Sequence, residues 1–389
     1  MKIPLSYSFR NLWTRRLTTG LTVLGIALVV FVFAATLMLS NGLREAMVST
    51  GADENAIVIR KSALSEGQSF VSREQANIVN TQPEIVTLGD GTPMATSDVV
   101  VTINIPKRGS KGLTNLIIRG VSSQALEIRK HQVTLVSGRL YQAGLQEVII
   151  GKAVHERFQG FDLGGTFRMA GTVWTVVGIF DGHGTGFDSE AWGDVEIMLP
   201  AIRRPAFSSV TVRLQDTSSF KALKARLEHD PRMTVDLKRE KQYYDEQSQG
   251  TSAFITFIGA TVTFIFSFGA MIGAMITMYA AVSNRTQEIG TLRSLGFRRR
   301  SVLGAFLVEA LLLAFIGGAL GVIASAALQS VTISTTNWTT FSELAFGFEL
   351  SWGIVFAALT FALIMGIVGG FLPAVRASRL KIVEALRTE

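Results

Sequence analysis

The 389-residue chain has no cysteine, which excludes a disulfide framework and a thiolate metal site and leaves the redox compartment open. Proline is scarce, at eight residues, so no proline-rich stretch forms a stiff linker. Only 17% of the residues are charged, against about a quarter in an ordinary soluble protein. Motifs for nucleotide or hydrolytic chemistry are missing too. The nearest approach to a phosphate-binding loop is at Gly151 and Lys152, where Gln146 replaces the first glycine and Ala153 the hydroxyl residue. His155 and Glu156 begin like a zinc-protease helix, but Gln159 stands where the second histidine belongs. No Gly-x-Ser-x-Gly elbow occurs. The stretch DGHGTGFDSE (181–190) gathers a histidine and three acids, and its glycines predict a flexible, exposed turn rather than a cation site. These readings assign the chain no catalytic residue, no metal and no cofactor of its own.

What the chain does have is apolar length. It is 48% hydrophobic, and four runs, at 18–40, 253–282, 302–328 and 352–375, reach the roughly 20 residues that cross a bilayer. The first run is too long for a signal-peptide core and reads as an uncleaved anchor. The chain's formal net charge of +7 could suggest nucleic acid, but the basic residues cluster at the ends of these runs. Lys2, Arg10, Arg15 and Arg16 precede the first. Five arginines lie in 283–301, and Arg376, Arg379, Lys381 and Arg387 follow the last, whereas 329–351 holds neither lysine nor arginine. The positive-inside rule therefore places both termini and 283–301 in the cytoplasm, and the basic excess is topological. A nucleic-acid partner is excluded on that ground. Residues 1–17 pattern as an amphipathic helix on the cytoplasmic membrane surface, with Leu5, Phe9, Leu12 and Trp13 on one side and Lys2, Ser6, Arg10 and Thr14 on the other.

Residues 41–252 are polar enough for one or two small extracytoplasmic domains. Strand-like runs occur at 55–60, 98–105, 113–120, 146–151, 166–180, 194–199 and 208–214. The MAGT step in 166–180 predicts a tight hairpin turn, and helical stretches fall near 72–80 and 218–228. The fold class is therefore a membrane protein of four transmembrane α-helices with a large α+β extracytoplasmic domain. Residues 42–50 and 238–252 have few breakers and predict a helical stalk. Residues 329–351 read as a short extracytoplasmic loop, and 376–389 as a cytoplasmic tail.

The segment SNRTQEIGTLRSLGFRRRS (283–301) is more organised than a chain reversal requires. At 100° per residue Ile289, Leu292 and Leu295 form an apolar stripe bordered by Arg285 and Arg293, with Thr286, Gln287, Thr291 and Ser294 opposite. Such a helix is built to lie on something, either lipid headgroups or a protein groove. Glu309 falls about two turns into the third run, where an acid costs about 2.5–3.5 kcal/mol unless it faces protein or water. The expected partner is a basic group across a protein interface; snorkelling to the surface is the alternative. Gly269 with Gly273, and Gly317 with Gly321, have the four-residue spacing that lets helices approach closely, within one protomer or at a dimer seam.

RTQEIGTLRSLGFRRRSVLGAFLVEALLLAFIGGALG (285–321) and LPAVRASRLKIVEALR (372–387) resemble the conserved-core and C-terminal segments of MacB/FtsX-type ABC transporter permeases. Residues 137–180 resemble the MacB periplasmic core domain. Ile382 stands where many members carry proline. The resemblance implies a pair of four-span permeases, as a homodimer or with a sister subunit, in the bacterial inner membrane. A separate cytoplasmic ATPase subunit would bind the ATP and magnesium. It also implies that 283–301 is the coupling helix, with Arg285, Glu288, Ile289, Gly290, Leu292, Arg293 and Gly296 at the motif positions, so that Ile289 and Arg293 together should carry coupling. An exporter or extractor of the MacB type is expected, with a lipoprotein-releasing permease of the LolC/LolE kind as the alternative. A periplasmic adaptor and an outer-membrane channel are the further partners implied. An ATP-independent sensor or adhesion protein would have no need of the 283–301 helix.

Overall fold

The computed structural model describes residues 16–109, 112–338 and 340–380. The amphipathic segment expected at 1–17 lies outside the described residues up to position 15, and the C-terminal motif lies outside them from position 381. In chain order the elements begin with α1 (Arg16–Val48), β1 (Asn55–Arg60), α2 (Arg73–Asn80), β2 (Ala95–Pro106), β3 (Leu113–Val121) and α3 (Ala125–Ile128). Next come β4 (Thr134–Gly138), β5 (Glu147–Gly151), α4 (Lys152–Arg157), β6 (Thr166–Met169), β7 (Thr172–Asp181) and β8 (Glu190–Asp194). They continue through α5 (Val195–Ala201), β9 (Ser209–Arg213), α6 (Phe220–His229), β10 (Val235–Arg239), α7 (Glu240–Ser283) and α8 (Thr286–Ser294). The last are α9 (Arg299–Ala326), β11 (Thr332–Thr336), β12 (Glu343–Gly347) and α10 (Trp352–Arg379). The chain divides into a helical unit and an α+β unit, the latter made of 42–253 and 332–347.

In the helical unit, α1, α7, α9 and α10 are long and apolar enough to cross a membrane, their best windows having mean hydropathies of 2.6, 2.0, 2.4 and 2.4. Lipid removes the hydrophobic drive between such helices, so close backbone approach must hold them together. Small residues provide it. A Cβ on Gly317 would stand 2.9 Å from the Val23 carbonyl oxygen, and one on Gly321 would stand 2.6 Å from that of Ala27, so both glycines seat α1 within the protomer. Gly318 meets Ala362, while Gly366 and Gly370 meet Ala314 and Ala310, closing α9 on α10. Gly269 and Gly273 of α7 face open space.

The α+β unit is organised on a ten-stranded sheet of order β10-β1-β9-β2-β3-β8-β5-β7-β4, with β6 added on β7. β2 joins its halves: Ala95 to Asp98 pair with β9, and Val99 to Pro106 pair with β3. Alternation of buried and accessible positions along β7 follows the period of two that the sequence shows. Trp174, Val148, Ile150, Val176 and Phe161 are fully buried in its core. The MAGT hairpin is present, with Ala170 and Gly171 at φ +52° and +79°, the left-handed pair a two-residue turn needs. Ser72 caps α2 reciprocally with Gln75, which explains why that helix starts where it does.

Three expectations change. The strand expected at 194–199 stops at Asp194: this last residue of β8 accepts a hydrogen bond from the Glu196 amide at 2.9 Å and starts α5, an N-cap whose local bond overrides the β-leaning composition. The 181–190 stretch is not an exposed turn. Most of it is buried, and the Asp188 carboxylate accepts the Gly182 and Gly184 amides at 2.6 and 2.8 Å. Residues 329–351 are more than a loop, because β11 and β12 form a hairpin on the α+β unit. Glu343 of this hairpin takes Lys107 at 2.7 Å, and the Ala345 amide donates to Ser189 Oγ at 3.0 Å.

Candidate functional site

The segment singled out in the sequence forms α8, a nine-residue helix two residues after α7. It ends in a Schellman turn. The Phe297 amide bonds to the Leu292 carbonyl and the Gly296 amide to that of Arg293, both at 3.2 Å, with Gly296 at φ +93°. Only glycine takes that conformation without strain, which accounts for Gly296.

The apolar stripe of α8 is turned toward the chain's own bundle at Ile289 but not at Leu295. Ile289 is 2% exposed and sits among Val282, Val302, Phe306, Ala374 and Ala377, from α7, α9 and α10. Gly290 is buried, Leu292 and Arg293 are half-buried, and Leu295 is exposed. Gln287, Glu288, Thr291 and Ser294 line the outward side. Tight connections at both ends leave the helix no room to stand away, so the apolar side packs inward and the polar side looks out.

Two arginines fix its position. Arg285, 8% exposed, donates Nε–H to Glu288 at 3.0 Å and Nη1–H to Glu309 at 3.1 Å, with its guanidinium 5.1 Å from the Phe306 ring centroid. Glu309 thus meets its basic group inside its own protomer. Arg293 donates Nη1–H to the carbonyls of Ser378 and Leu380 at 3.3 and 2.9 Å. Those carbonyls belong to the end of α10, where backbone acceptors lack helical donors and a cation is favoured.

A second constellation, in the α+β unit, escaped the sequence reading. Arg119 makes bidentate contacts to Glu66 at 2.7 and 3.0 Å and to Glu190 at 2.7 and 2.8 Å, while Arg129 reaches Asp98 at 3.2 Å and Glu240 at 3.1 Å. All six groups are at most 6% exposed. Glu240, the first residue of α7, also accepts from Asn55 Nδ2 at 2.8 Å and the Ala52 amide at 3.0 Å. Arg129 lies 4.5 Å from the Phe187 ring centroid. Four acids face two bases, and burial pushes the Asp98 carboxyl up despite Arg129 and Arg119. Burial also works against Glu66, but the Arg119 ion pair and the hydrogen bonds of Arg119 and Ser209 outweigh it and hold Glu66 below the usual range. Charged residues inside otherwise apolar strands, such as Arg119 in LTNLIIRG, were the available signal. Their partners lie too far away in sequence to be matched by inspection.

Glu66, held low when folded, contributes stability above its ordinary pKa that is lost as pH falls through the folded value. Asp98, held high, works the other way, its contribution fading as pH rises. Glu66→Gln should therefore destabilise the α+β unit at neutral pH by about 3–5 kcal/mol, the cost of stranding a buried charge. Asp98→Asn should cost less, and its deficit relative to wild type should shrink as pH rises; thermal unfolding across a pH series measures both. In the bundle, Arg285→Met alone should cost a similar amount by taking away the ion-pair partner of buried Glu309, and adding Glu309→Leu should recover most of it, as read by thermal unfolding in detergent.

A model described as the MacB-like periplasmic core domain matches residues 19–230, and one described as the FtsX-like permease C-terminal matches 260–382. The pyoverdine export ATP-binding/permease protein PvdT of Pseudomonas entomophila is 24% identical, over 99% of this chain and 59% of its own length. The macrolide export ATP-binding/permease protein MacB 1 of Aeromonas hydrophila is 27% identical, over 94% and 57%. The chain thus spans less than two thirds of these relatives, and the part it matches is the permease part. Among solved structures, the periplasmic region of MacB from Actinobacillus actinomycetemcomitans covers 51% of this chain and 94% of its own, at 16% identity and a TM-score of 0.39. With four membrane-length helices, an α+β unit and both family models matched, the chain belongs to the MacB/FtsX-type ABC transporter permeases and is a membrane protein with an extracytoplasmic domain.

Proposed function

We propose that this permease serves an ATP-driven exporter or extractor of the MacB type. In this reading a separate cytoplasmic ATPase subunit binds ATP and magnesium, pushes on α8, and the long helices relay the motion to the extracytoplasmic domain. The observation that carries it is the way α8 is held. Ile289 in the bundle core, Arg285 on Glu309 and Arg293 on the end of α10 are three independent anchors on its inner side. A chain reversal needs none of them, whereas a lever needs all of its load passed on. Ile289, Gly290, Leu292 and Arg293 are positioning residues on this view, and the docking face is Gln287, Glu288, Thr291, Ser294 and Leu295. The basic residues flanking the helices support a cytoplasmic location for this face and both termini, in a bacterial inner membrane, with the α+β unit outside.

A paired permease completes the proposal. Gly269 and Gly273 look into an apolar groove of about 500 Å³ with Gly25 of α1 on its other side. Small residues facing open space suit a second copy of the chain, or a sister permease, better than lipid. A periplasmic adaptor and an outer-membrane channel would join it where the cell has a second membrane.

The test is reconstitution with the ATPase. Thr291→Trp combined with Ser294→Lys, both outward and exposed, should cut ATPase stimulation by about tenfold, the equivalent of about 1.4 kcal/mol of docking, with the melting temperature unchanged. Full stimulation by that variant would remove α8 from the coupling path.

A further inference from the structure

Five arginines at one end of the helical unit take no part in holding α8. Arg298 caps α9, Arg299 and Arg300 open it, and Arg376 and Arg379 sit in the last turn of α10. All five are exposed. The two helices run antiparallel, since Gly366 meets Ala314 and Gly370 meets Ala310, and Val302 shares an apolar cluster with Ala374 and Ala377. The first turn of α9 therefore lies beside the last turn of α10, and the five cations share one end of the pair.

No acid neutralises them among the described residues. The acids of this unit are Glu288, Glu309 and Glu349. The first two bond Arg285, and Glu349 precedes the opposite end of α10. The three arginines of α9 also oppose their own helix. A helix N-terminus carries partial positive charge and favours acids, yet the first turn of α9 has none. The positive-inside rule accounts for basic residues on this side, but not for three unpaired ones gathered where the helix end repels them. An anion from outside the chain offsets both repulsions.

The surface beside these cations says which anion. On α10, Val368 and Leu372 are 47% and 51% exposed, and at 100° per residue they fall within about 80° of Arg376 and Arg379. One face thus passes from exposed aliphatic side chains to exposed guanidinium groups within about three turns. That is the order of hydrocarbon and headgroup at a bilayer surface, and both helices are of membrane length.

We propose that this end of the α9–α10 pair binds anionic phospholipid, with headgroup phosphates on the five arginines and acyl chains along Val368 and Leu372. A guanidinium fork matches two phosphate oxygens at once, and basic clusters between membrane helices take such headgroups. A zwitterionic lipid brings an ammonium group that the same arginines repel. The surface belongs to the bundle itself, whether or not α8 docks an ATPase.

The experiment places the full chain in nanodiscs of equal phosphatidylglycerol and phosphatidylcholine, then counts retained lipid by native mass spectrometry. A photo-crosslinkable phosphatidylglycerol maps the site. Wild type should retain phosphatidylglycerol over phosphatidylcholine by about tenfold, equivalent to about 1.4 kcal/mol, with crosslinks in the peptides spanning 298–303 and 368–379. Replacing Arg298, Arg299 and Arg300 together by glutamine, or Arg376→Gln with Arg379→Gln, should each cut the preference several-fold. If those variants fail to insert, the wild type still decides the matter: its preference should fall several-fold between about 50 mM and 0.5 M salt, where surface charges are screened. Equal retention of the two lipids, a preference that the inserted variants or salt leave unchanged, or crosslinks confined to other peptides would overturn the proposal. So would an acidic partner protein, in place of lipid, on the arginine-bearing peptides in native membranes.

Discussion

Burying a charge costs several kcal/mol unless a partner of opposite sign and a full set of hydrogen bonds go with it, and this protein meets that demand at both ends of one helix. α7 runs for 44 residues, about 66 Å at the rise of an α-helix. Its first residue, Glu240, is fully buried on Arg129, Asn55 and the Ala52 amide. Two residues past its end, Arg285 is buried on Glu309. A helix whose ends are fastened by charges that cannot be solvated singly resists sliding or unwinding at either end. In each case the alternative to the native contact is a stranded ion rather than a looser contact.

The packing around the second anchor follows from it. With Arg285 seated on α9 and Arg293 on the end of α10, α8 has only one way to lie, and Ile289 completes the apolar contact beneath it. α9 in turn is fixed by glycines. Gly317 and Gly321 admit the α1 backbone, while Gly318, Gly366 and Gly370 close α9 against α10. Larger residues there would force the helices apart, the overpacking cost of tight cores. A bundle packed this closely leaves little slack in which side chains could absorb a displacement of α8, which is what the proposed relay requires.

Much of this was legible in the sequence, for physical reasons that can be named. The four membrane helices declare themselves by apolar length, and strands such as Asn55–Arg60 by short β-branched runs between turn residues. The inward face of α8 was not legible. Its periodicity gave an apolar side, but which neighbour that side meets depends on the two short connections and on residues in α10 some 85 positions away. The ion network was hidden for the same reason, since Glu66, Asp98, Arg119, Glu190 and Glu240 are scattered along the chain and meet only in the folded sheet. The strand expected at 194–199 failed on a local effect, the Asp194 cap. The 181–190 stretch failed because glycine there serves close backbone approach to Asp188, not mobility: a Cβ on Gly182 would stand 3.0 Å from Asp188 Oδ1.

The absence of cysteine makes the central claim open to direct measurement. A single cysteine in place of Thr291, on the outward side of α8, can carry a photo-crosslinker in native membranes, with one in place of the exposed Leu320 of α9 as the lipid-facing control. The account predicts a crosslink from position 291 to an ATP-binding protein, altered by nucleotide, and none from position 320. Lipid adducts alone at both positions would contradict it.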